Sequence, residues 1–260
     1  DLCRNYLSGP IPMEWASISL CANNLSGPLP TGLQNFKNLT FLGVEANQFS
    51  GPIPDELGNL TNLTGLELAS NQFTGRLPIT LARLVNLEKV RIDDNNFTGI
   101  IPEYIGNWSR LKKLHLDASG LKGPIPDAVA HTETLTELIL RNVSMSGPIP
   151  SYIWNIETVK TLDLSFNKLT GEVQGVQFVP KFNWYTYLTG NMLSGYIESG
   201  ALLSSKSIVD LSYNNFSWSP SCQEKRNINT YRSSYLKKNL TLLPCAGGIS
   251  CRNGNCKYIH

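Results

Sequence analysis

Long apolar runs and runs of one charge sign are both missing from this sequence of 260 residues. No stretch reaches the roughly 18 apolar residues that a membrane-spanning helix needs, and no charged-then-apolar leader opens the chain. We therefore expect a soluble molecule whose signal peptide or anchor has been cut away or lies outside the chain. The formal charge of +2 is the small difference between 22 basic and 20 acidic residues, so neither nucleic acid nor an anionic membrane surface is indicated as a partner.

Side chains that carry out catalysis are also scarce, with three histidines in the chain, His115, His131 and His260. The sequence has no Gly-x-Ser-x-Gly elbow, no phosphate-binding glycine loop and no His-Glu-x-x-His helix. A general base at His115, beside Asp93 and Asp117, is conceivable, but a solvated surface histidine is the better interpretation. We expect no enzyme activity in this chain and no cofactor.

Nine glycosylation sequons, Asn-x-Ser/Thr, indicate the compartment. They begin at Asn24, Asn38, Asn59, Asn62, Asn96, Asn107, Asn142, Asn215 and Asn239. So many sequons are typical of a secreted or cell-surface protein, and six cysteines, an even number, agree with an oxidising compartment. The alternative is that an Asn-rich repeat produces sequons by chance.

One sequence unit is repeated in tandem along the chain. Its glycine recurs with one spacing of 18 residues followed by seven of 24, at Gly9, Gly27, Gly51, Gly75, Gly99, Gly123, Gly147, Gly171 and Gly195. The sequence around each glycine also repeats, as in LELASNQFTGRLP and VRIDDNNFTGIIP, and the shared template is L-x-L-x-x-N-x-L-x-G-x-I-P. This pattern is typical of leucine-rich repeats.

Each part of the template has a physical role. The alternating apolar pair, such as Leu66 and Leu68, predicts a short strand with one buried face that stacks on the strand one coil away. Gly and Pro in GPIP allow a tight path and a second extended segment, while DELGNLTNL and AVAHTETL predict a helical turn on the outer side. The predicted fold is an α/β repeat, a right-handed leucine-rich-repeat solenoid with a parallel β-ladder on its concave face.

An asparagine at the bend of most repeats predicts a hydrogen-bonded ladder inside the solenoid. These residues are Asn23, Asn47, Asn71, Asn95, Asn167, Asn191 and Asn214. An inward asparagine bonds the main chain of the next coil and satisfies groups that a buried turn otherwise leaves unpaired. Two repeats have Ser119 and Val143 at this position. An inward Val143 with a local change of curvature is favoured over a one-residue slip that buries Asn142 and its sequon.

The chain starts inside a coil without an N-terminal cap, and its first coil is six residues shorter than the others. Aligning the first two coils places Cys3 over Cys21. Adjacent strands lie roughly 4.7–4.9 Å apart, which is inside the Cα range that a disulfide accepts. We therefore predict a Cys3–Cys21 bridge that joins the first coil to the second.

The repeats stop at Trp218. We predict a solenoid of about nine to ten coils over residues 1–218, followed over residues 219–260 by a cap and lead-in to a downstream domain. The second segment contains Cys222, Cys245, Cys251 and Cys256. Disulfides are favoured there over a zinc site with His260, and three pairings remain open.

The residues that alternate with the buried leucines project from the concave side and are the candidate binding residues. They form a mixed-charge block in the middle and a pair of tyrosines toward the C-terminal coils: Lys89, Arg91, Asp93, Lys113, His115, Asp117, Glu137, Arg141, Tyr185 and Tyr187. The basic residues are suited to the free carboxylate of a peptide, whereas the tyrosines are suited to stacking on sugar rings. A merely solvated face is the alternative for each of them.

Several sequence segments share more residues with a known family than the general repeat template specifies. Among them are NYLSGPIPMEW, EANQFSGPIPDELGNL, FTGIIPEYIGNW and LDLSFNKLTG. They resemble the ectodomain of plant receptor-like serine/threonine kinases that carry a malectin-like domain after the repeats. The resemblance implies an extracellular segment at the plasma membrane, which binds a secreted peptide or cell-wall oligosaccharide and a co-receptor ectodomain. Signalling would pass to a kinase domain outside this chain. The alternative is a secreted binder similar to polygalacturonase-inhibiting proteins.

Overall fold

The apolar pairs of the repeats form strands of a parallel ladder, as the period-two pattern predicts. The structure, a computed structural model, describes residues 2–6, 8–9, 18–173, 185–198, 208–219, 241–242, 249–252 and 255–258. The chain divides into two compact units. Unit 1 comprises Asp1–Met145 and Ser151–Val159, and unit 2 comprises Ser146–Pro150 and Lys160–His260.

Unit 1 contains six ladder strands. They span Ile18–Ser19, Phe41–Gly43, Gly65–Glu67, Lys89–Arg91, Lys113–His115 and Glu137–Ile139. Their register follows the 24-residue period, so that Leu42 pairs with Leu66 and Leu66 pairs with Val90. The central residue of each three-residue strand is buried, because successive side chains of a strand point to opposite faces and the apolar ones point into the core.

The opposite side of these strands is the concave side of the sequence prediction, and we call it the ladder face. Each coil contributes the first and last residues of its ladder strand and the residue two positions further on, as Lys89, Arg91 and Asp93 do in one coil. Unit 2 contributes ladder strands Thr161–Asp163, Tyr185–Tyr187 and Ile208–Asp210, which pair in parallel in this order. In each unit the ladder face is therefore a surface built at the same three positions of successive coils.

Most coils of unit 1 also contain a second short strand and a 3₁₀-helix. The second strands are Ser8–Gly9, Asn24–Gly27, Gln48–Pro52, Gln72–Gly75 and Asn96–Phe97. The helices are Thr31–Asn35, Asp55–Asn59, Ile79–Arg83, Glu103–Asn107, Asp127–His131 and Ser151–Asn155. Prolines such as Pro54 and Pro78 stand directly before them in extended conformation, because a proline has no N–H to donate and suits a position just outside a helix. The predicted helical turns are confirmed.

Unit 2 has further strands beside its part of the ladder. Ser146–Pro148 pairs in parallel with Lys168–Thr170, and Ser194–Glu198 pairs with Asn215–Ser219, which pairs with Thr241–Leu242. Ile249–Arg252 and Asn255–Tyr258 form an antiparallel pair, in which Cys251 is opposite Cys256.

The core of unit 1 is built from the same repeat positions in successive coils. Phe49, Phe73 and Phe97 are almost completely buried, and their rings stack at centroid distances of 6.2 Å with interplanar angles of 2° and 9°. Leucines on the ladder strands and near the 3₁₀-helices fill the space around them. Because the same residue type recurs at each level, the coils pack with little adjustment from one to the next.

The asparagine ladder forms as predicted, but its bonds point backward along the chain. The Asn71 amide donates to the carbonyls of Val44, Leu68 and Ala69, and its Oδ1 accepts from the Phe49 N–H at 2.9 Å. Asn47, Asn95, Asn191 and Asn214 repeat this arrangement. The partners outside each asparagine's own turn belong to the preceding coil rather than to the next one.

The two breaks in this ladder are resolved differently. At Ser119 the main chain replaces the missing amide, since the Phe97 N–H donates to the Ser119 carbonyl at 2.8 Å. Gly120 permits this approach, with a φ of 89° and a position at which a Cβ would lie 2.3 Å from the Phe97 carbonyl oxygen. Val143 is buried and Asn142 is exposed, so the inward valine is confirmed and the one-residue slip is wrong.

The first coil is joined to the second as predicted. A disulfide links Cys3 and Cys21, whose Cα atoms are 4.5 Å apart. The Leu2 N–H donates to the Ser19 carbonyl and the Arg4 N–H to the Cys21 carbonyl, which aligns the two coils. Part of the short first coil, together with Cys222, Cys245, Asn239 and His260, lies outside the described residues, so the predictions made for them are not tested.

Candidate functional site

The ladder face of unit 1 has a flat area where two glycines lie under an aromatic ring. Gly43 and Gly65 have no side chains, and the Phe41 ring lies across both of them: a Cβ on either glycine would be 2.6 Å from a ring atom. Both glycines are buried, whereas the ring is half-buried. The close approach of the ring therefore requires glycine at both positions. Because neither glycine has a side chain, only the Phe41 ring covers the face at this point.

Ion pairs occupy the middle of the ladder face. The Lys89 ammonium lies 2.7 Å from Glu67, the Lys113 ammonium lies 2.7 Å from Glu137, and the Arg91 guanidinium contacts both oxygens of the Asp93 carboxylate. The Glu67 and Asp93 side chains are 8% and 7% exposed, so each buried carboxylate is stabilised by its cation. Lys89, Arg91 and Lys113 are thus neutralised by partners on the face itself.

His115 belongs to the same cluster. Its Nε2 lies 3.2 Å from the Glu137 carboxylate, which also accepts from Lys113. Burial lowers the pKa of His115, since it disfavours the imidazolium, and the charge of Arg91 acts in the same direction. Burial by itself would raise the pKa of Glu137, but hydrogen bonds from Lys113 and His115 leave that pKa below its usual value. The carboxylate therefore stays ionised and serves as the common acceptor.

Glu45 is a charged residue of this face that the sequence analysis did not select. Its Oε2 is buried and has no hydrogen-bond partner among the described residues. Burial raises the pKa of Glu45, and the neighbouring Glu67 charge adds to this effect. Phe41, Glu45 and Glu67 thus extend the candidate site beyond the predicted set. The signal that was available is a pair of glycines beside Phe41: Gly65 pairs with it in register, and Gly43 lies two residues further along the same strand.

In unit 2 the ladder face has a different chemistry. Tyr185 is 39% exposed and Tyr187 is half-buried, with Asp163 and Asp210 on the strands to either side of Tyr187. Asp163 Oδ1 accepts from both the N–H and the hydroxyl of Ser165, and Asp210 does the same with Ser212. The repeated Asp-Leu-Ser triplet was the available signal for these two carboxylates, and the sequence analysis did not use it.

All ten predicted binding residues lie at ladder-face positions, so the register of the sequence analysis is confirmed. In unit 1 the structure joins six of the charged ones to carboxylates or cations of the face: Lys89, Arg91 and Asp93 in one coil, Lys113 and His115 in the next, and Glu137 in the one after. Their binding of a ligand stays a prediction.

In the part of the chain that the structure describes, the glycosylation sequons begin at other positions of the repeat. Of the eight sequon asparagines that the structure describes, none is at a ladder-face position. Asn24, Asn96 and Asn215 are on second strands, Asn59 and Asn107 end 3₁₀-helices, and the others are in turns. Asn142, in the turn after the strand Glu137–Ile139, is exposed and directly follows the ladder-face residue Arg141.

Other kinds of site are not seen in the described part of the chain. Its residues include no group of three or more histidine, cysteine, aspartate or glutamate side chains placed to hold a metal ion. None of the described helices has the length and apolar character that crossing a membrane requires.

Comparisons with known proteins agree with this architecture. The family model described as Leucine Rich Repeat matches residues 38–60 and 86–108. The chain is 69% identical over 99 residues to a probable LRR receptor-like serine/threonine-protein kinase of Arabidopsis thaliana. That alignment covers 38% of this chain and 9% of the relative, so the chain spans a small part of the relative's length.

Two solved structures have a similar fold. The Arabidopsis receptor kinase HAESA, in complex with the peptide hormone IDA and the co-receptor SERK1, has a TM-score of 0.76 and 31% identity, covering 84% of this chain and 42% of that one. The plant peptide hormone receptor RGFR1, in complex with RGF2, has a TM-score of 0.75 and 29% identity, covering 84% and 40%. The repeat fold with a parallel strand ladder, as found in plant receptor ectodomains, is therefore confirmed.

Proposed function

We propose that this chain is the extracellular ligand-binding part of a plant leucine-rich-repeat receptor-like kinase, and that a secreted peptide lies along its ladder face. The observation that carries the proposal is the position of the glycosylation sequons. None of the eight described sequon asparagines is at a ladder-face position, whereas charged and aromatic side chains occupy many of these positions. A surface without attached glycans remains accessible to a macromolecular ligand.

The similarity to two receptors that were solved with peptide hormones supports a peptide as the ligand class. An extended peptide suits a parallel ladder, since side chains presented in rows at each coil contact successive residues of a ligand that crosses the strands. A cell-wall oligosaccharide is the other ligand that the tyrosines suit, and it is an outcome of the test described below.

The parent protein is part of the same proposal. We expect the longer protein to carry a malectin-like domain after the repeats, a membrane anchor and an intracellular serine/threonine kinase, so that this chain lies outside the plasma membrane. The support is the sequence similarity to a probable receptor-like kinase of Arabidopsis thaliana. A co-receptor ectodomain is the expected second partner, since one neighbour was solved with a co-receptor.

A binding screen of the glycosylated chain against synthetic secreted peptides and cell-wall oligosaccharides tests the ligand class and the surface. We expect a peptide whose affinity falls about tenfold or more in Arg91→Ala and in Tyr187→Ala. Arg110→Ala and Tyr213→Ala are matched controls, because both residues are exposed and neither is at a ladder-face position. Thermal unfolding confirms that each variant is folded.

Two results would contradict the proposal. If the variants on the ladder face bind a confirmed peptide as well as the wild type does, the ligand lies on another surface. If oligosaccharides bind at the ladder face and peptides do not, the ligand class is wrong.

A further inference from the structure

The described ladder face of unit 2 carries carboxylates that have no salt bridge among the described residues. Its nine described positions are Thr161, Asp163, Ser165, Tyr185, Tyr187, Thr189, Ile208, Asp210 and Ser212. In unit 1 the buried carboxylates Glu67 and Asp93 each contact a lysine or arginine. Within the described part of unit 2, neither Asp163 nor Asp210 has such a salt bridge, although the whole chain has a net charge of +2.

Both carboxylates are held in place by local bonds. Ser165 donates its N–H and its hydroxyl to Asp163 Oδ1 at 2.9 and 2.5 Å, and Ser212 donates to Asp210 Oδ1 at 3.0 and 2.5 Å. The described donors all use Oδ1, which leaves Oδ2 of each aspartate as the acceptor for a ligand. Two prearranged acceptors lose little side-chain entropy when a ligand binds them.

Tyr187 lies between these carboxylates. It pairs in register with Asp163 on one side and with Asp210 on the other. Strands in a sheet are spaced by about 4.8 Å, so the two aspartates are about 10 Å apart along the ladder with the tyrosine midway. A planar cation stacked on the Tyr187 ring would point its N–H groups toward a carboxylate on each side, and the ring itself attracts a cation through its π-face.

We infer that Asp163, Tyr187 and Asp210 form a subsite for an arginine side chain of the peptide ligand. The inference rests on the proposed function, since it assumes that a peptide lies along the ladder face. Charge complementarity favours this occupant. The two carboxylates have no salt bridge of their own, and a guanidinium bound between them would offset their negative charges and their mutual repulsion. A neutral sugar would stack on the ring but would leave both charges uncompensated.

Two matched peptide pools test the subsite. Each pool contains acetylated and amidated decapeptides with uncharged random residues around a fixed central residue, which is arginine in one pool and its neutral isostere citrulline in the other. Binding of the glycosylated chain to each immobilised pool gives an apparent affinity ratio. We expect about a tenfold preference for arginine in the wild type and a ratio near one in the Asp163→Asn/Asp210→Asn double variant.

Glu172→Gln is the control, because it removes one carboxylate charge from an exposed residue of unit 2 that is not at a ladder-face position. Its ratio should equal that of the wild type. Tyr187→Leu is a second variant that keeps both aspartates, and we expect it to weaken arginine binding more than citrulline binding.

Several outcomes would overturn the inference. They are equal binding of the two pools, no binding of either pool, or a preference for arginine that persists in the double variant. The proposed function has a separate outcome: if peptides from the screen bind in an Arg91-dependent way while the pools show no preference for arginine, the subsite alone is wrong. If neither screen nor pools respond to any substitution on the ladder face, the proposed function is wrong as well.

Discussion

Replacing Asn71 by alanine should destabilise the coils on both sides of it. The wild-type side chain is buried and makes four hydrogen bonds. The three carbonyls that accept from Asn71 each keep another donor after the substitution. The Asn47 amide also donates to the Val44 carbonyl, and the Asn95 amide also donates to the Leu68 carbonyl. The Ala46 N–H also donates to the Ala69 carbonyl. The Phe49 N–H loses its described acceptor, Asn71 Oδ1.

The cost follows from this count. An unsatisfied buried N–H costs about 1–3 kcal/mol, and the loss of the additional bonds to carbonyls that keep a partner adds about 1 kcal/mol. We therefore expect Asn71→Ala to lower the free energy of unfolding by about 2–4 kcal/mol. Because repeat proteins do not always unfold in one step, hydrogen exchange at the Phe49 N–H is the more direct measurement, alongside urea unfolding.

Asn35→Ala is the matched control, since Asn35 is exposed at the end of a 3₁₀-helix. It should change the unfolding free energy by less than about 0.5 kcal/mol. If the two variants have the same stability, or if the Phe49 N–H remains as protected in Asn71→Ala as in the wild type, the asparagine ladder does not stabilise the coils as argued.

Two further substitutions test the backbone and the charge cluster. Gly120→Ala should lower the free energy of unfolding in urea by about 3 kcal/mol, because the φ of Gly120 is 89° and the added Cβ would overlap the main chain. The control Gly27→Ala should cost about 1 kcal/mol, because Gly27 has a similar φ of 83° but no atom within 4 Å of the added Cβ. Equal costs would contradict the close approach at Gly120. The pKa of His115 is lowered in the folded protein, so the unfolded chain binds the proton more tightly and stability falls as the pH drops from about 7 to 5. His115→Gln should make this decline shallower, while His131→Gln, at an exposed residue, should not; identical pH profiles for the two variants would refute the argument.

The repeat itself was predictable to the level of single residues. The 24-residue period determines which residues are stacked, so the ladder-face positions of Arg91 and His115 in unit 1 and of Tyr187 in unit 2 follow from counting along the chain. The Cys3–Cys21 disulfide follows from the same counting. Period and alternation are local properties, and a solenoid converts them into three-dimensional neighbours because each coil contacts only the adjacent ones.

The chemistry of the ladder face was less predictable. The sequence analysis took Lys89, Arg91 and Lys113 as suited to a ligand carboxylate, but in the structure each contacts a carboxylate of the protein. Pairing depends on side-chain direction and on burial, neither of which is encoded by the repeat period. Glu45 and Asp163 were passed over for the same reason, since nothing in the repeat template separates a paired carboxylate from one without a cation.

The sequence by itself therefore determined the coil, the ladder and the membership of each face, because a regular period leaves one way to stack identical units. The tertiary structure decided how the irregular positions are accommodated. At Ser119 a main-chain carbonyl replaces an asparagine side chain, which required Gly120 to approach Phe97. The tertiary structure also decided which charged side chains neutralise one another, because electrostatic pairing depends on distances of a few ångströms between side chains of neighbouring coils.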